Sequence, residues 1–210
     1  MSFGAFLTQA ILISLSGVMA PGPLTVVVVG KGARSARAGA LIALGHGAVE
    51  FPLMVLIVLG LGPLFQHEAF AISVGLAGGA VLLWMSAGLL LSLRRTVSQE
   101  AGPERMREAS PFMAGVLMTA ANPYFIVWWA TVGATLVFRA WTYGVVPFTV
   151  FAVVHWSLDL IWYFFLSSAA FRGTKVLGDR FLKGVSLIAG LMLLYFGIRF
   201  IADALGSLLA

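Results

Sequence analysis

At 210 residues, 60% from the hydrophobic set and only 10% charged, with a mean hydropathy of +1.01, the chain is far from the composition of a water-soluble domain. Residues 1–30, 69–93 and 109–138 carry no charge, and each run exceeds the roughly 20 residues that a helix needs to cross a bilayer. A soluble enzyme and a disordered chain are excluded, as is an outer-membrane barrel, whose strands alternate in segments of about 10 residues. With no cysteine there is no disulfide framework and no thiolate metal or redox site.

Taken in chain order, charges and turn residues bound six predicted spans, at about 3–30, 38–63, 69–93, 111–137, 143–170 and 184–206. The longest polar stretch, Arg94 to Ser110, is too short to bury a core, so residues 1–210 read as a single transmembrane domain. The first apolar run lacks a basic leader and is far longer than a signal-peptide core, so it is expected to remain as the first helix. The expected fold is an all-α integral membrane protein.

Lys and Arg set the expected orientation. Lys31, Arg34 and Arg37 follow span one, Arg94, Arg95, Arg105 and Arg107 follow span three, and Arg172, Lys175, Arg180 and Lys183 follow span five. The opposite loops hold only His67 and Glu68, and Arg139. By the positive-inside rule the basic loops are cytoplasmic and both termini face outward. The net charge of +5 is accounted for by loops lying against anionic lipid headgroups, and makes no case for nucleic acid.

The halves repeat a pattern. Repeat one, about residues 1–93, begins with a span interrupted at Pro21-Gly22-Pro23; repeat two, about 111–210, begins with one interrupted at Asn122-Pro123. Each then carries a histidine one helical turn before an acid, His46 and Glu50 in the first half, His155 and Asp159 in the second. Three spans per half is an odd number, so the halves have opposite orientation, the inverted-repeat plan of many secondary transporters. The loop between them is about 94–110.

Proline inside a span removes a hydrogen bond and clashes with the preceding turn, so helices one and four are predicted to break. Within hydrocarbon such breaks are tolerated where they line a cavity. The segments opening at Pro23, Leu24 and Thr25, and at Pro123 and Tyr124, then present helix N-termini that favour an anion such as a carboxylate. An ionised acid at mid-span costs roughly 2.5–3.5 kcal/mol, so Glu50 and Asp159 are expected to face the bundle interior, holding either a coupling proton or a cationic substrate group. The histidines share a face with the acids and either relay their protons or, with them, form a divalent-metal site, which makes a metal-cation exporter the alternative reading. Trp128 and Trp129 lie too deep for interface anchors and are candidate pocket walls, with Trp156, Trp162 and Tyr163 nearby in sequence to Asp159. Gly39, Gly45, Gly47 and the group from Gly75 to Gly79 read as close-packing positions, and Arg199 with Asp203 as a mutually neutralising pair. No Ser or Cys accompanies a His and an acid as a nucleophile set, so neither an enzyme nor a cofactor is expected.

Pro21-Gly22-Pro23, the Gly-rich basic turn from Gly30 to Gly39, Ala43-Leu44-Gly45-His46 with Glu50, Asn122-Pro123, and Asp159-x-x-Trp162-Tyr163 together resemble the lysine exporter (LysE/RhtB) family. The resemblance covers nearly the whole chain. It implies an inner-membrane secondary carrier, dimeric, exporting amino acids or related small solutes against protons. Many members of that family follow the second Asn-Pro with a Lys or a small polar stretch, whereas Tyr124 to Trp129 is wholly apolar or aromatic here. With no further acid in that segment, a neutral or apolar amino acid is the expected cargo.

Overall fold

The computed structural model describes residues 2–19, 22–61, 68–93, 109–177 and 179–209. Pro21, His67, Arg94, Arg95, Arg105 and Arg107 lie outside the described residues, so the expectations for them have no structural counterpart below. Among the described residues the chain is all helical, with no strand.

Both sequence-predicted breaks are present. Helix α1 (Phe3–Val18) stops before Gly22, whose extended backbone (φ −156°, ψ −173°) caps α2 (Pro23–Gly32), and the two axes differ by 75°. Proline suits the first helical position because its missing N–H would have no intrahelical partner there. Helix α3 (Ala38–Leu56) runs into a wide turn, Ile57–Leu61, closed by Gly60 at φ 116°, a value that side-chain-bearing residues seldom adopt. Helix α4 is Glu68–Ser92. The second break separates α5 (Pro111–Ala120) from α6 (Pro123–Trp128), which continues through a π turn, Trp129–Gly133, into α7 (Ala134–Trp141). Two long helices, α8 (Val145–Leu177) and α9 (Asp179–Leu209), complete the chain.

Among the described residues, Ala38–Gly60, Tyr124–Trp141 and Val145–Val176 are long and apolar enough to cross a bilayer, and the bent pair α1 and α2 makes a fourth candidate. The outer surface is apolar too, with Leu59, Trp84, Val146, Ile161 and Val176 all more than 60% exposed, which suits a surface bathed in lipid. This is a multi-pass membrane protein.

Glycine sets how closely the central helices approach. A Cβ on Gly39 would meet the Tyr163 carbonyl of α8, one on Gly45 the Phe112 carbonyl of α5, and one on Gly115 the Ile42 carbonyl of α3. Helix α3 is thus pressed between α5 and α8, and Trp156 fastens the second contact by donating from its indole to the Ala43 carbonyl at 2.9 Å. Gly79 and Gly197 bring α4 and α9 together, and Ser86 donates to the Gly190 carbonyl at 2.7 Å.

Contacts at the two ends of this bundle differ in kind. At one, Lys31 donates to the Ala109 carbonyl at 2.7 Å and Ser167 to the Ala36 carbonyl at 2.7 Å, so the basic turn after α2, the start of α5 and the later part of α8 gather there. At the other, the rings of Phe3, Phe6 and Tyr143 lie within 6.1 Å of one another, with the Arg139 guanidinium 5.9 Å from the Phe6 ring. Arg199 and Asp203 pair at 3.4 Å on the exposed side of α9.

A larger residue at Gly45 must push α3 and α5 apart. Gly45→Val is expected to cost about 1–3 kcal/mol by overpacking, read as a lowered Tm in detergent; an unchanged Tm would contradict the close approach.

Candidate functional site

Four ionisable side chains from two helices meet at the centre. Helix α3 presents His46 and Glu50 on one face, a turn apart, and α8 presents His155 and Asp159 in the same way; none is more than 4% exposed. A single oxygen, Glu50 Oε1, lies 3.1 Å from His46 Nε2 and 3.2 Å from His155 Nε2. Asp159 Oδ1 is 3.8 Å from His46 Nε2, and Tyr163 lies one helical turn on from the same carboxylate. The sequence-predicted pairs therefore form one cluster.

The far nitrogen of each imidazole is held from the other half of the chain. His46 Nδ1 is 2.8 Å from Thr119 Oγ1 on α5, and His155 Nδ1 is 2.7 Å from Ser14 Oγ on α1. A hydroxyl both donates and accepts, so either partner keeps its bond whether the ring is neutral or protonated. Neither hydroxyl was among the sequence candidates. A lone Ser or Thr in an apolar run more often bonds its own helix, as Ser16 does to the Ile13 carbonyl at 2.6 Å.

Aromatic rings form the wall. Trp128 stacks on His155 with centroids 5.4 Å apart at 26°, and Trp129 meets the same ring edge-on at 5.2 Å. Phe125 and Tyr163 stand edge-on to His46 at 5.3 and 5.9 Å. The π turn after Trp128 and the bare Gly133, over which Trp129 lies, give these large rings room. A cavity opens between this wall, the four ionisable groups and the two helix breaks; its empty space, open mouth included, is about 500 Å³.

Gly22, Leu24, Thr25, Asn122, Tyr124, Trp128 and Trp129 line this cavity together with the four ionisable residues. Pro23 is buried at the first position of α2, and Pro123 holds the equivalent position in α6. Trp156 and Trp162 are not part of the lining; Trp156 is engaged with Ala43 instead. Sequence reasoning missed Gly17, Val18 and Phe125, which carry no polar signal.

The two breaks are chemically unequal. The Asn122 side chain accepts from the Tyr124 N–H at 3.1 Å, filling one donor at the start of α6. Gly22 makes no side-chain cap on α2, whose residues Leu24 and Thr25 line the cavity. For metal, His46, Glu50 and Asp159 offer ligand atoms within 4.8 Å of one another, but His155 is not in that group and both Nε2 atoms are already spent on Glu50.

Comparison with known proteins bears on what such a cavity does. Residues 15–204 match the model of the family described as LysE type translocator. The chain is 25% identical over 193 residues to an uncharacterized membrane protein of Pseudomonas aeruginosa, covering 87% of this chain and 88% of that one. It is 26% identical over 198 residues to a Bacillus subtilis protein named "Putative amino acid efflux protein YcgF", covering 93% and 94%. No solved structure matches the chain.

Removing either crossing hydroxyl strands a buried imidazole nitrogen. Ser14→Ala and Thr119→Val are each expected to lower stability by about 1–3 kcal/mol, while Ser16→Ala leaves the Tm in detergent unchanged. Equal Tm values for all three would show that the crossing bonds contribute nothing.

Proposed function

The chain belongs to the LysE type translocator family, and on that premise we propose that it is a secondary exporter of neutral amino acids or related small solutes, driven by proton antiport across the cytoplasmic membrane. The observation that carries the reading is Glu50 itself. One of its oxygens joins the histidines of both halves, while the other, Oε2, has no hydrogen-bond partner among the described residues, and the same is true of Asp159 Oδ2. Two unpartnered carboxylate oxygens beside a cavity suit a cation, either the substrate ammonium or a proton. Occupation by one disfavours the other, which is the elementary requirement of antiport.

The substrate carboxylate is proposed to lie at the N-terminus of α2, beside Leu24 in the cavity lining, where the helix dipole favours negative charge. Among the described residues the remaining lining offers aromatic rings and no further free acid, so a neutral or apolar side chain fits and a basic one does not. This arrangement calls for neither enzyme chemistry nor a resident cofactor.

The full topology belongs to the same proposal: six spans, two inverted three-helix repeats and both termini outside, with the basic turns cytoplasmic. Its support is the reciprocal pattern of contacts, in which the first helix of each half supplies the hydroxyl for the histidine of the other. The gathering of the Lys31 turn, Ala109 and Ser167 at one end agrees with basic loops on a common side. A homodimer is proposed only by likeness to the family.

In proteoliposomes containing the purified protein, addition of a neutral amino acid is expected to drive a luminal pH change together with amino-acid flux. Glu50→Gln and Asp159→Asn are each expected to abolish both signals while the protein still reconstitutes. Flux that persists unchanged in both variants would overturn the antiport mechanism, and a pH response to Mn²⁺ or Zn²⁺ alone would replace amino acids with metal as cargo.

A further inference from the structure

Trp128 is a wall of the cavity with a polar edge that nothing satisfies. The residue is 9% exposed, and its indole Nε1 has no hydrogen-bond partner among the described residues. Leaving a buried N–H unpaired is unfavourable, and such groups usually turn until they find an acceptor. Here the ring is held. It stacks on His155, stands edge-on to Trp129 at 5.2 Å and 81°, and is closed on by α1 at Gly17, where a Cβ would come within 2.8 Å of Nε1 and Cε2. The indole is thus a fixed donor, and indole cannot accept.

Three residues of the cavity lining each carry a buried polar atom that lacks a partner among the described residues: Glu50 Oε2, Asp159 Oδ2 and Trp128 Nε1. Trp162 Nε1 and Thr174 Oγ1 also lack partners, but neither residue lines the cavity. The three that do are of opposite kinds, two acceptors and one donor. Trp128 and Glu50 share one neighbour, since the His155 ring carries Trp128 on its face and Glu50 at its Nε2. Gly17, against the indole, lies only a few residues before Gly22, where the uncapped α2 begins.

Resting on the exporter reading above, we infer that Trp128 Nε1 is a substrate-binding donor that completes the carboxylate subsite opposite the α2 N-terminus and makes the site selective for amino acids over amines. Glu50 and Asp159 alone would take any small cation. The fixed N–H, already buried and unpaired, offers a hydrogen bond that only a ligand with an acceptor can take, so the amino acid gains a contact and the amine does not. Gly17 has the matching role of leaving the indole its place.

The test is competition binding and flux in proteoliposomes, with each neutral amino acid of a panel set against its own decarboxylated amine. Trp128→Phe keeps an aromatic ring and deletes the donor; if that variant does not reconstitute, 3-benzothienylalanine at position 128 keeps the two-ring shape without the N–H. The expected result is affinity for the amino acid weakened about tenfold, as for loss of one hydrogen bond to a charged group, with affinity for the amine unchanged. Equal weakening for both ligands, or none for either, overturns the assignment. Wild-type protein that moves no amino acid defeats the exporter reading itself and this inference with it, whereas wild-type flux with an indifferent Trp128 variant defeats only the latter.

Discussion

Everything at the centre of this protein depends on one carboxylate oxygen accepting from two imidazoles. Glu50 Oε1 can reach both His46 and His155 only if α3 and α8 cross closely, and a Cβ on Gly39 would run into the backbone of α8. A lone acid at such depth is costly. Shared between two rings that are themselves tied to hydroxyls on α1 and α5, it becomes the knot of a network drawing on four helices, two from each half. Packing and chemistry are therefore one constraint: what brings the helices together also assembles the ionisable groups.

The broken helices divide the work unequally. At the second break the Asn122 cap and the π turn build a rigid wall, placing Phe125, Trp128 and Trp129 against the two histidines. At the first, Gly22 offers no side chain to its helix, and Leu24 and Thr25 line the cavity. Both follow from local sequence. Asparagine before proline can fold back on the following amide, whereas glycine between prolines supplies only conformational freedom. The two breaks thus differ through a single capping residue, Asn122 at one and Gly22 at the other.

How much of this was legible in advance follows from the cost of misplacement in hydrocarbon. Prolines in a span, and an acid one turn after a histidine, are so unfavourable facing lipid that Pro23, Glu50, His155 and Asp159 announce an interior role; the structure buries all four, and Glu50, His155 and Asp159 line one cavity. Ser14 and Thr119 could not be singled out. A hydroxyl in an apolar helix can satisfy itself on its own backbone, as Thr131 does with the Val127 carbonyl at 2.8 Å, so nothing local marks the ones that cross. Gly17 is silent for a related reason, since its partner Trp128 is remote in sequence and meaningful only once α1 and α6 are side by side. Trp156 reads like another pocket aromatic, yet its indole is consumed by Ala43.

Hydroxyls hold the two imidazoles in a way that no single protonation state dictates. A backbone carbonyl at Nδ1 would hold the ring in states that carry a proton there, and a carboxylate would add a further charge to bury. Thr119 and Ser14 do neither: as a ring gains or loses its Nδ1 proton, the hydroxyl rotates from donor to acceptor or back, and the contact survives. The same indifference does not extend to Trp128, whose N–H has one polarity and a clamped orientation. The cavity therefore combines hydroxyl-held imidazoles that keep their contacts in either protonation state with an indole N–H that only an acceptor can satisfy.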